Sequence, residues 1–403
     1  MVYEKLQHFC CLIKRCLYLG KDISIIEESI CQLGKMETRA LQEFFDRYQP
    51  ALGPLLFWHL KQKGLTSLLK PDIAAFLKTR YSRNLSRNCL LEGKLVQILE
   101  GFHGADIRVL LLKGTCAFAS SLSFLRDAYT PFDLDLFVRS SDLERAKAIL
   151  IGKGYRLTNQ QYLQDWTKQS FLNADGSAPV DLHTGLFWRA PGGSTNYFDY
   201  RNSDISDIWE CAIPDSVEGC RVWLPSQTDQ ICYRLVHDVV GHGEELRLLA
   251  SISRLYHFSF LLQLYDQTIE WRQLVDGLRA KRMDRLLLAY ICYGNREFGL
   301  PVPLQLRPWL SKDLGLFYLD AIVRCPLRLR NANYRTSVVM LTAHSVLERL
   351  QIAYQIMIGL AMGRRRMESS IVLVKVILLQ LLSVLYVLGQ KFRRRDVRGR
   401  EYA

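Results

Sequence analysis

The stretch from Leu110 to Val138 constrains the fold most, because its hydrophobic period changes twice. An apolar segment leads into a turn at residues 113–115, a segment of helical period follows, and strict alternation then resumes around Asp133 and Asp135. Side chains of a strand alternate between its two faces, so we expect both aspartates on one face and the intervening leucines on the other. The order strand, turn, helix, strand therefore predicts a sheet with one buried face and one polar face.

The turn has a composition that suits phosphate binding. Gly114 has no side chain and would let the backbone approach a ligand closely, and the predicted helix from Thr115 to Leu125 would offer free N–H groups. Lys113 would add a positive charge and Thr115 a hydroxyl donor. We therefore predict that Lys113, Gly114 and Thr115 bind nucleotide. The alternative for Lys113 is a strand-end side chain that extends along apolar surface to reach water.

A second polar strand follows further along the chain. The Asp-Gly pair within residues 173–177 predicts a hairpin turn between strands at 167–172 and 178–186. Alternation in the second of these strands places Asp181 and His183 on one face. The strand therefore offers a third carboxylate to the predicted polar face.

Three carboxylates on neighbouring strands repel one another unless a cation or a shared proton compensates. An all-oxygen set of this kind suits Mg²⁺ or Mn²⁺, whereas hard cations do not favour imidazole. We therefore predict that Asp133, Asp135 and Asp181 are the catalytic residues and the metal ligands, with His183 as a hydrogen-bonded neighbour. The alternative is an ordinary solvent-facing pair of aspartates.

Residues 1–105 are predicted to be a helical N-terminal region, since apolar residues recur there at spacings of three and four. Gly34, Pro50 and Gly64 break the pattern, and Pro71 is a favourable first helical residue. The predicted helices are Ser24–Leu33, Glu37–Tyr48, Leu55–Lys63 and Pro71 to about Phe102.

The rest of the chain divides into two predicted regions. Residues 106–225 form a small mixed-sheet core, which includes a helix opened by a capping box at 141–144 and a strand at 221–224. Residues 188–219 are predicted to be a loop with one short helix near 204–211. A helical C-terminal region, 226–403, starts at a Ser226 cap. The predicted fold class is α+β.

The basic character of the chain is concentrated at its end. Residues 364–403 contain ten basic and three acidic residues, so they supply +7 of the net charge of +13. No stripe of aromatic and basic residues lies near Asp133 in the sequence to indicate nucleic acid. The excess of charge therefore says little about the predicted core.

The segment Ile371–Gly389 is apolar but is interrupted by Lys375 and Gln380, and arginine clusters flank it on both sides. A membrane-spanning helix needs about 20 apolar residues. We favour a buried helix or a membrane-surface contact through residues 364–400, and a membrane span is the alternative. Eleven cysteines, an odd number, and a start without a long apolar segment predict a cytoplasmic protein with reduced thiols.

The motifs LLKGT, DLDLFV, SDLERAKAILIGKGY and VDLH occur in this order, and together they resemble the nucleotidyltransferase superfamily related to DNA polymerase beta. Within it the chain is most similar to the uncharacterised nucleotidyltransferase family, whose paired histidines resemble His237 and His242. The resemblance extends over about residues 110–255. From spacing alone, histidines five apart favour core or site-neighbouring roles over a zinc pair.

The resemblance implies a magnesium-dependent enzyme that transfers a nucleoside monophosphate from a nucleoside triphosphate such as ATP to an acceptor hydroxyl and releases pyrophosphate. It implies that Asp133 and Asp135 bind the metal and that Asp181 assists the attacking hydroxyl. A protein, an RNA end, a sugar or a small molecule could be the acceptor, because fold does not select among them.

A second hypothesis is a catalytically degenerate nucleotide-binding or membrane-surface scaffold. The family usually has an arginine shortly before the acid pair, whereas here residues 129–132 precede Asp133 and the nearest candidate is Arg126. Loss of that arginine would favour binding without turnover.

Overall fold

A computed structural model of the chain describes five ranges: residues 2–158, 168–185, 208–237, 252–280 and 284–309. The predictions for His242 and for residues 364–400 lie outside these ranges and stay predictions. Among the described helices, none is both long and apolar enough to cross a membrane.

The N-terminal region is helical, as predicted. Its helices are α1 (Val2–Cys16), α2 (Ser24–Gly34), α3 (Thr38–Tyr48), α4 (Leu52–Gln62) and α5 (Pro71–Gly104). The buried positions of α5 include Ile73, Leu77, Leu91 and Leu95, whose spacing places them along one side of the helix. The predicted helices agree with the observed ones within a few residues, because glycines and prolines mark their ends.

A seven-stranded mixed sheet confirms the α+β fold class. Its strands are β1 (Leu110–Leu111), β2 (Leu134–Phe137), β3 (Tyr155–Leu157), β4 (Lys168–Asn173), β5 (Val180–His183), β6 (Ile213–Val217) and β7 (Cys220–Leu224). Their order across the sheet is β3-β4-β5-β2-β1-β7-β6. The pairs β1/β7 and β2/β5 are parallel, and the other four pairs are antiparallel.

The two faces of the sheet differ in what they carry. Leu134, Leu136 and Leu182 belong to the main hydrophobic core, which also contains the buried side chains of α4 and α5. The opposite face carries a small second cluster that includes Leu110 and Phe137. Because side chains alternate, this second face is also the one that carries Asp135, and we call it the site face.

The segment after the turn is not the continuous helix predicted for Thr115–Leu125. It forms two 3₁₀ turns, Lys113–Phe118 and Ser120–Leu125, separated by the extended residue Ala119. Ser123 Oγ donates locally to the Ser120 carbonyl oxygen at 3.0 Å, and Ser120 Oγ donates to the Ser216 carbonyl oxygen of β6 at 2.9 Å. Such bonds compete with helix formation, which explains why the prediction was wrong.

Strand β6 was missed, because Pro214 and two polar residues within it suggested a loop. Proline is tolerated in an edge strand, and β6 lies at one edge of the sheet. Glu218 and Gly219 connect it to β7, both with positive φ (45° and 82°), as a tight hairpin turn requires.

The remaining helices are α6 (Leu143–Gly152), α7 (Gln227–Val236), α8 (Ile252–Tyr265), α9 (Trp271–Ala280) and α10 (Asp284–Phe298). The capping box predicted for α6 does not form, since no side chain caps this helix and the Asp142 carboxylate pairs with Arg145 instead. The predicted cap of α7 is confirmed: the backbone N–H of Asp229 donates to Ser226 Oγ at 3.1 Å.

Candidate active site

Asp135 occupies the centre of the site face, where it is 2% exposed. Its backbone N–H donates to Thr115 Oγ1 at 2.8 Å, and its carbonyl oxygen accepts from the Leu112 N–H at 3.0 Å. The turn at 113–115 and strand β2 are therefore tied together by backbone and hydroxyl bonds, and the sequence-predicted nucleotide-binding residues lie beside Asp135.

Lys113 forms an ion pair with Asp135, with 2.6 Å between Nζ and Oδ1. Burial tends to lower the pKa of Lys113, but the Asp135 carboxylate outweighs it, so the net pKa is raised. Burial tends to raise the pKa of Asp135, and Lys113 together with His183 instead holds it well below its usual range. Both groups are therefore charged at neutral pH, and each compensates the other.

Backbone strain accompanies this ion pair. Lys113 has a φ of 50°, in the left-handed region that few residues other than glycine adopt. Gly114 has no positive φ, but a Cβ on it would lie 3.2 Å from Pro131 Cβ. The glycine therefore permits close packing against the segment before Asp133, and the strained residue of the turn is the lysine.

Asp181 lies opposite Asp135 in the parallel register of β2 and β5. Lys168 Nζ lies 2.8 Å from Asp181 Oδ2, and Ser170 Oγ donates to Asp181 Oδ1 at 2.6 Å. Sequence analysis missed Lys168 and Ser170, although their i, i+2 spacing in β4 is the strand signal that would place them on the face of Asp181.

His183 is the hydrogen-bonded neighbour that the sequence predicted. Its Nε2 lies 3.0 Å from Asp135 Oδ1. One ligand atom from each of Asp135, Asp181 and His183 lies within 4.8 Å of the other two. The structure thus brings together two of the three predicted carboxylates, with an imidazole beside them.

Asp133 differs from the other two acids. It was predicted in the strand, but β2 begins one residue later and Asp133 lies in the preceding bend, partly buried. In the described ranges its carboxylate has no hydrogen bond and no ion pair. Burial and the nearby Asp135 carboxylate raise the pKa of Asp133 to about 7, with Asp181 adding to the rise and Lys113 and Lys168 opposing it. Asp133 is therefore the acid of the three that no described side chain pairs with directly.

Helix α5 fixes the segment that leads to Asp133. Asn84 Nδ2 donates to the Tyr129 carbonyl oxygen at 2.9 Å, and Asn88 Nδ2 donates to the carbonyl oxygens of Arg126 at 2.6 Å and Tyr129 at 3.0 Å. Tyr81 donates its hydroxyl to Asp127 Oδ2 at 2.8 Å. These helix residues recur every three or four positions and so share one face. The N-terminal region thus positions part of the candidate site.

Two arginines adjoin this segment. Arg126, the candidate for the family's upstream arginine, pairs with Glu92 on α5 at 2.7 Å between Nη1 and Oε2. Arg87, also on α5, places its guanidinium 4.9 Å from the centre of the Phe132 ring. Burial lowers the pKa of Arg87 and the Asp133 carboxylate opposes that effect. Arg87, which sequence analysis missed, is thus a cation beside Asp133 with no ion pair within the described part of the chain.

His237 adjoins the second cluster on the site face. Its ring stacks on Tyr233, with 5.9 Å between ring centroids, and Tyr233 belongs to the second cluster on the site face. Lys113 interacts electrostatically with Tyr233. This arrangement agrees with the site-neighbouring role that the histidine spacing favoured.

The donor set fits a divalent cation. Lys113 and Lys168 neutralise one oxygen each of Asp135 and Asp181, whereas Asp135 Oδ2 has no hydrogen bond from any described residue and Asp133 has none at all. Carboxylate oxygens on adjacent backbone positions are the donors that Mg²⁺ and Mn²⁺ prefer. Among the described residues, Asp135, Asp181 and His183 are the group whose ligand atoms lie close enough to share one ion, and Asp133 as a metal ligand stays a prediction.

The model of a family described as uncharacterised nucleotidyltransferase matches residues 49–299, from just before α4 to the end of α10. This match extends over more than half of the chain and includes the whole candidate site, so the chain belongs to this family. No curated protein and no solved structure matches it. Family membership supports nucleotidyl transfer in general, with a nucleoside triphosphate as the implied substrate.

Proposed function

We propose that this protein is a nucleotidyltransferase that depends on Mg²⁺ or Mn²⁺ and transfers a nucleoside monophosphate from a nucleoside triphosphate to an acceptor hydroxyl. The observation that carries the proposal is Asp133, which has no direct ion pair among the described residues and lies beside two acids that lysines already pair with. A buried negative charge in excess of its partners is the local signal for a bound cation.

The residues of the site have distinct roles in this reaction. Asp133, Asp135 and Asp181 would hold the metal, which when bound polarises the α-phosphate and neutralises the departing pyrophosphate. Lys113 and Arg87, which both interact electrostatically with Asp133, supply positive charge for the triphosphate. The acceptor oxygen bonds to the α-phosphorus as the bond to the bridging oxygen breaks, and Asp181, held by Ser170, takes up the acceptor's proton.

The test measures label transfer from an α-labelled nucleoside triphosphate to components of a cell extract. We expect Asp133→Asn and Asp135→Asn each to reduce metal-dependent transfer by about a thousandfold, since metal stabilisation of the transition state contributes several kcal/mol. Asp106→Asn is the matched control, because Asp106 is exposed and has a φ of 54°, which asparagine tolerates. Undiminished transfer in both site variants would overturn the proposal.

A second candidate function is a scaffold that binds nucleotide without turnover. It is favoured by the two ion pairs, Lys113–Asp135 and Lys168–Asp181, which neutralise those acids without any metal. Calorimetry with each nucleoside triphosphate separates the two functions. Binding that requires Mg²⁺ supports the enzyme, and binding that is indifferent to Mg²⁺ supports the scaffold.

A further inference from the structure

Three arginines form a row across the site face. Leu110 of β1 lies opposite Phe137 of β2 and beside Trp223 of β7. Continuing both registers by two residues places Arg108 between Arg139 and Arg221. Neighbouring strands are about 4.8 Å apart, so the row is roughly 10 Å long. We call Arg108, Arg139 and Arg221 the arginine row.

Two tryptophans connect the row. The guanidinium of Arg108 lies 4.2 Å from the centre of the Trp223 ring and 5.4 Å from that of Trp209. Arg139 lies 5.7 Å from Trp209, and Arg221 lies 4.9 Å from Trp223. All five side chains therefore lie on one surface, although residues far apart in the sequence supply them.

The row has no acidic partner among the described residues. Arg139 and Arg221 are exposed, and Arg108 Nε is buried without a hydrogen-bond partner. The three guanidinium groups adjoin the same two tryptophan rings and repel one another, and a bound anion would relieve this repulsion. A guanidinium that stacks on a ring keeps its N–H edge free, and that edge matches a phosphate group.

The row and the acids share the site face. Arg139 follows Asp135 by four residues of extended chain, so the two ends of the surface are about 13 Å apart. The proposed reaction needs an acceptor hydroxyl at the acids, and the row needs phosphates. A single strand of nucleic acid has both, since its terminal hydroxyl is followed by a series of phosphates. Its unpaired bases stack on aromatic rings and guanidinium planes.

We infer that the arginine row and its two tryptophans bind the phosphates and bases of a single-stranded nucleic acid, whose terminal hydroxyl is the acceptor of the proposed reaction. The role of the terminal hydroxyl as acceptor rests on the proposed function. The binding of nucleic acid rests on the arginine row alone. The two can therefore be tested separately.

The test measures fluorescence anisotropy of a fluorescein-labelled single-stranded RNA oligonucleotide, without nucleotide and in the presence of EDTA. The variant carries Arg108→Gln, Arg139→Gln and Arg221→Gln. Each phosphate contact to a single strand contributes about 0.7 to the slope of log K against log salt concentration. We therefore expect the slope to be shallower by about 2 and the affinity at 0.1 M salt to be lower by about a hundredfold.

The matched control carries Arg39→Gln, Arg156→Gln and Arg272→Gln. These arginines are exposed and lie outside the row, so both variants lose the same net charge. We expect the control to bind like the parent protein. Equal loss in the two triple variants, or no loss in the row variant, would overturn the inference. Thermal unfolding of each single variant shows whether a loss reflects binding or folding.

Two further measurements separate this inference from its alternatives. Duplex DNA and phosphatidylserine vesicles serve as competing anions, and preferential binding of either to the row would contradict a single-stranded ligand. RNA binding by the row in a protein without transferase activity would refute the proposed function and leave the row intact. Nucleotidyl transfer by the parent protein, together with unchanged RNA binding by the row variant, would refute the arginine row as the binding site and leave the proposed function standing.

Discussion

The two ends of the site face carry opposite charges, and they differ in whether described side chains of opposite sign pair with those charges. At the acid end the protein compensates most of its charge internally, since Lys113 pairs with Asp135 and Lys168 pairs with Asp181. At the other end no described acidic side chain pairs with Arg108, Arg139 or Arg221. Paired charges can stabilise the fold without any ligand, whereas unpaired ones destabilise it until something binds. The difference separates the structural charges from the ligand-binding ones.

By this criterion Asp133 belongs with the arginine row rather than with Asp135. Asp135 contributes to the stability of the fold, and Asp133 is available to a ligand at some expense to stability. The predictions below test this division, from the largest expected effect to the smallest.

Asp135→Asn should lower the free energy of unfolding by about 3 to 5 kcal/mol, because it leaves the Lys113 ammonium buried beside a neutral group. Urea denaturation at pH 7.5 with EDTA measures this change. Asp133→Asn, in contrast, removes no hydrogen bond and should not destabilise the protein. Similar losses in the two variants would contradict the division between them.

The double variant Asp135→Asn with Lys113→Met is the control for this prediction. Methionine keeps most of the length of lysine without its charge, so it should recover a large part of the lost stability. If Lys113→Met leaves the effect of Asp135→Asn unchanged, the ion pair is not the source of the loss.

Arg87→Gln tests the unpaired cation beside Asp133. A charge-assisted hydrogen bond to phosphate contributes about 1.5 to 3 kcal/mol, so the KM for the nucleoside triphosphate should rise by about 10- to 100-fold. Arg83→Gln, on an exposed position of the same helix, should leave KM unchanged. An Arg87 effect on stability alone, with normal KM, would assign this arginine to packing against Phe132.

Asn88→Ala tests whether helix α5 supports the acid end alone. The change removes two hydrogen bonds to the carbonyl oxygens of Arg126 and Tyr129, so it should destabilise the protein by about 2 kcal/mol. It should also reduce nucleotide transfer, while RNA binding by the arginine row stays normal. Ser86→Ala, on the exposed side of α5, should do neither. Parallel loss of transfer and RNA binding would show that the two ends are not independent.

The sequence predicts those parts of the molecule whose signal is local. The helices of the N-terminal region, the hairpin between β4 and β5 and the Ser226 cap follow from periodicity and turn chemistry over a few residues. Strand β6 could not be predicted, because Pro214 and its polar neighbours are tolerated there only by virtue of the edge position.

The candidate site divides in the same way. The alternation of side chains within β2 predicts the face of Asp135, and the alternation within β5 predicts that Asp181 and His183 share a face. Each of these predictions needs only the residues of one strand. Arg87, Lys168 and the arginine row depend on which strands and helices are neighbours, and a single sequence does not contain that information. The unequal state of Asp133 and Asp135 also depends on tertiary contacts, since both acids share one motif.

The smallest predicted effect concerns pH and separates the two acids by sign. Burial and the Asp135 carboxylate raise the pKa of Asp133 from its ordinary 3.8 to about 7, against Lys113 and Lys168. With a raised pKa in the folded state, ionisation of Asp133 opposes folding, and this penalty grows as pH rises from about 4 to about 7 and is complete above it. The low pKa of Asp135 changes the stability of the fold with pH in the opposite direction, because ionised Asp135 stabilises the fold at neutral pH and this stabilisation is lost on acidification.

In EDTA, Asp133→Asn should therefore be more stable than the parent protein at pH 8 by about 1 kcal/mol, after allowance for solvent screening. The advantage should be small near pH 4 and vanish below it, because the parent aspartate is protonated in the folded state at pH 4 and becomes protonated in the unfolded state only below its ordinary pKa of 3.8. Arg87 and Asp181 also face this carboxylate, so Asp106→Asn serves as the control for a general change in charge. A stability difference that does not vary between pH 4 and pH 8 would show that Asp133 is already compensated without metal.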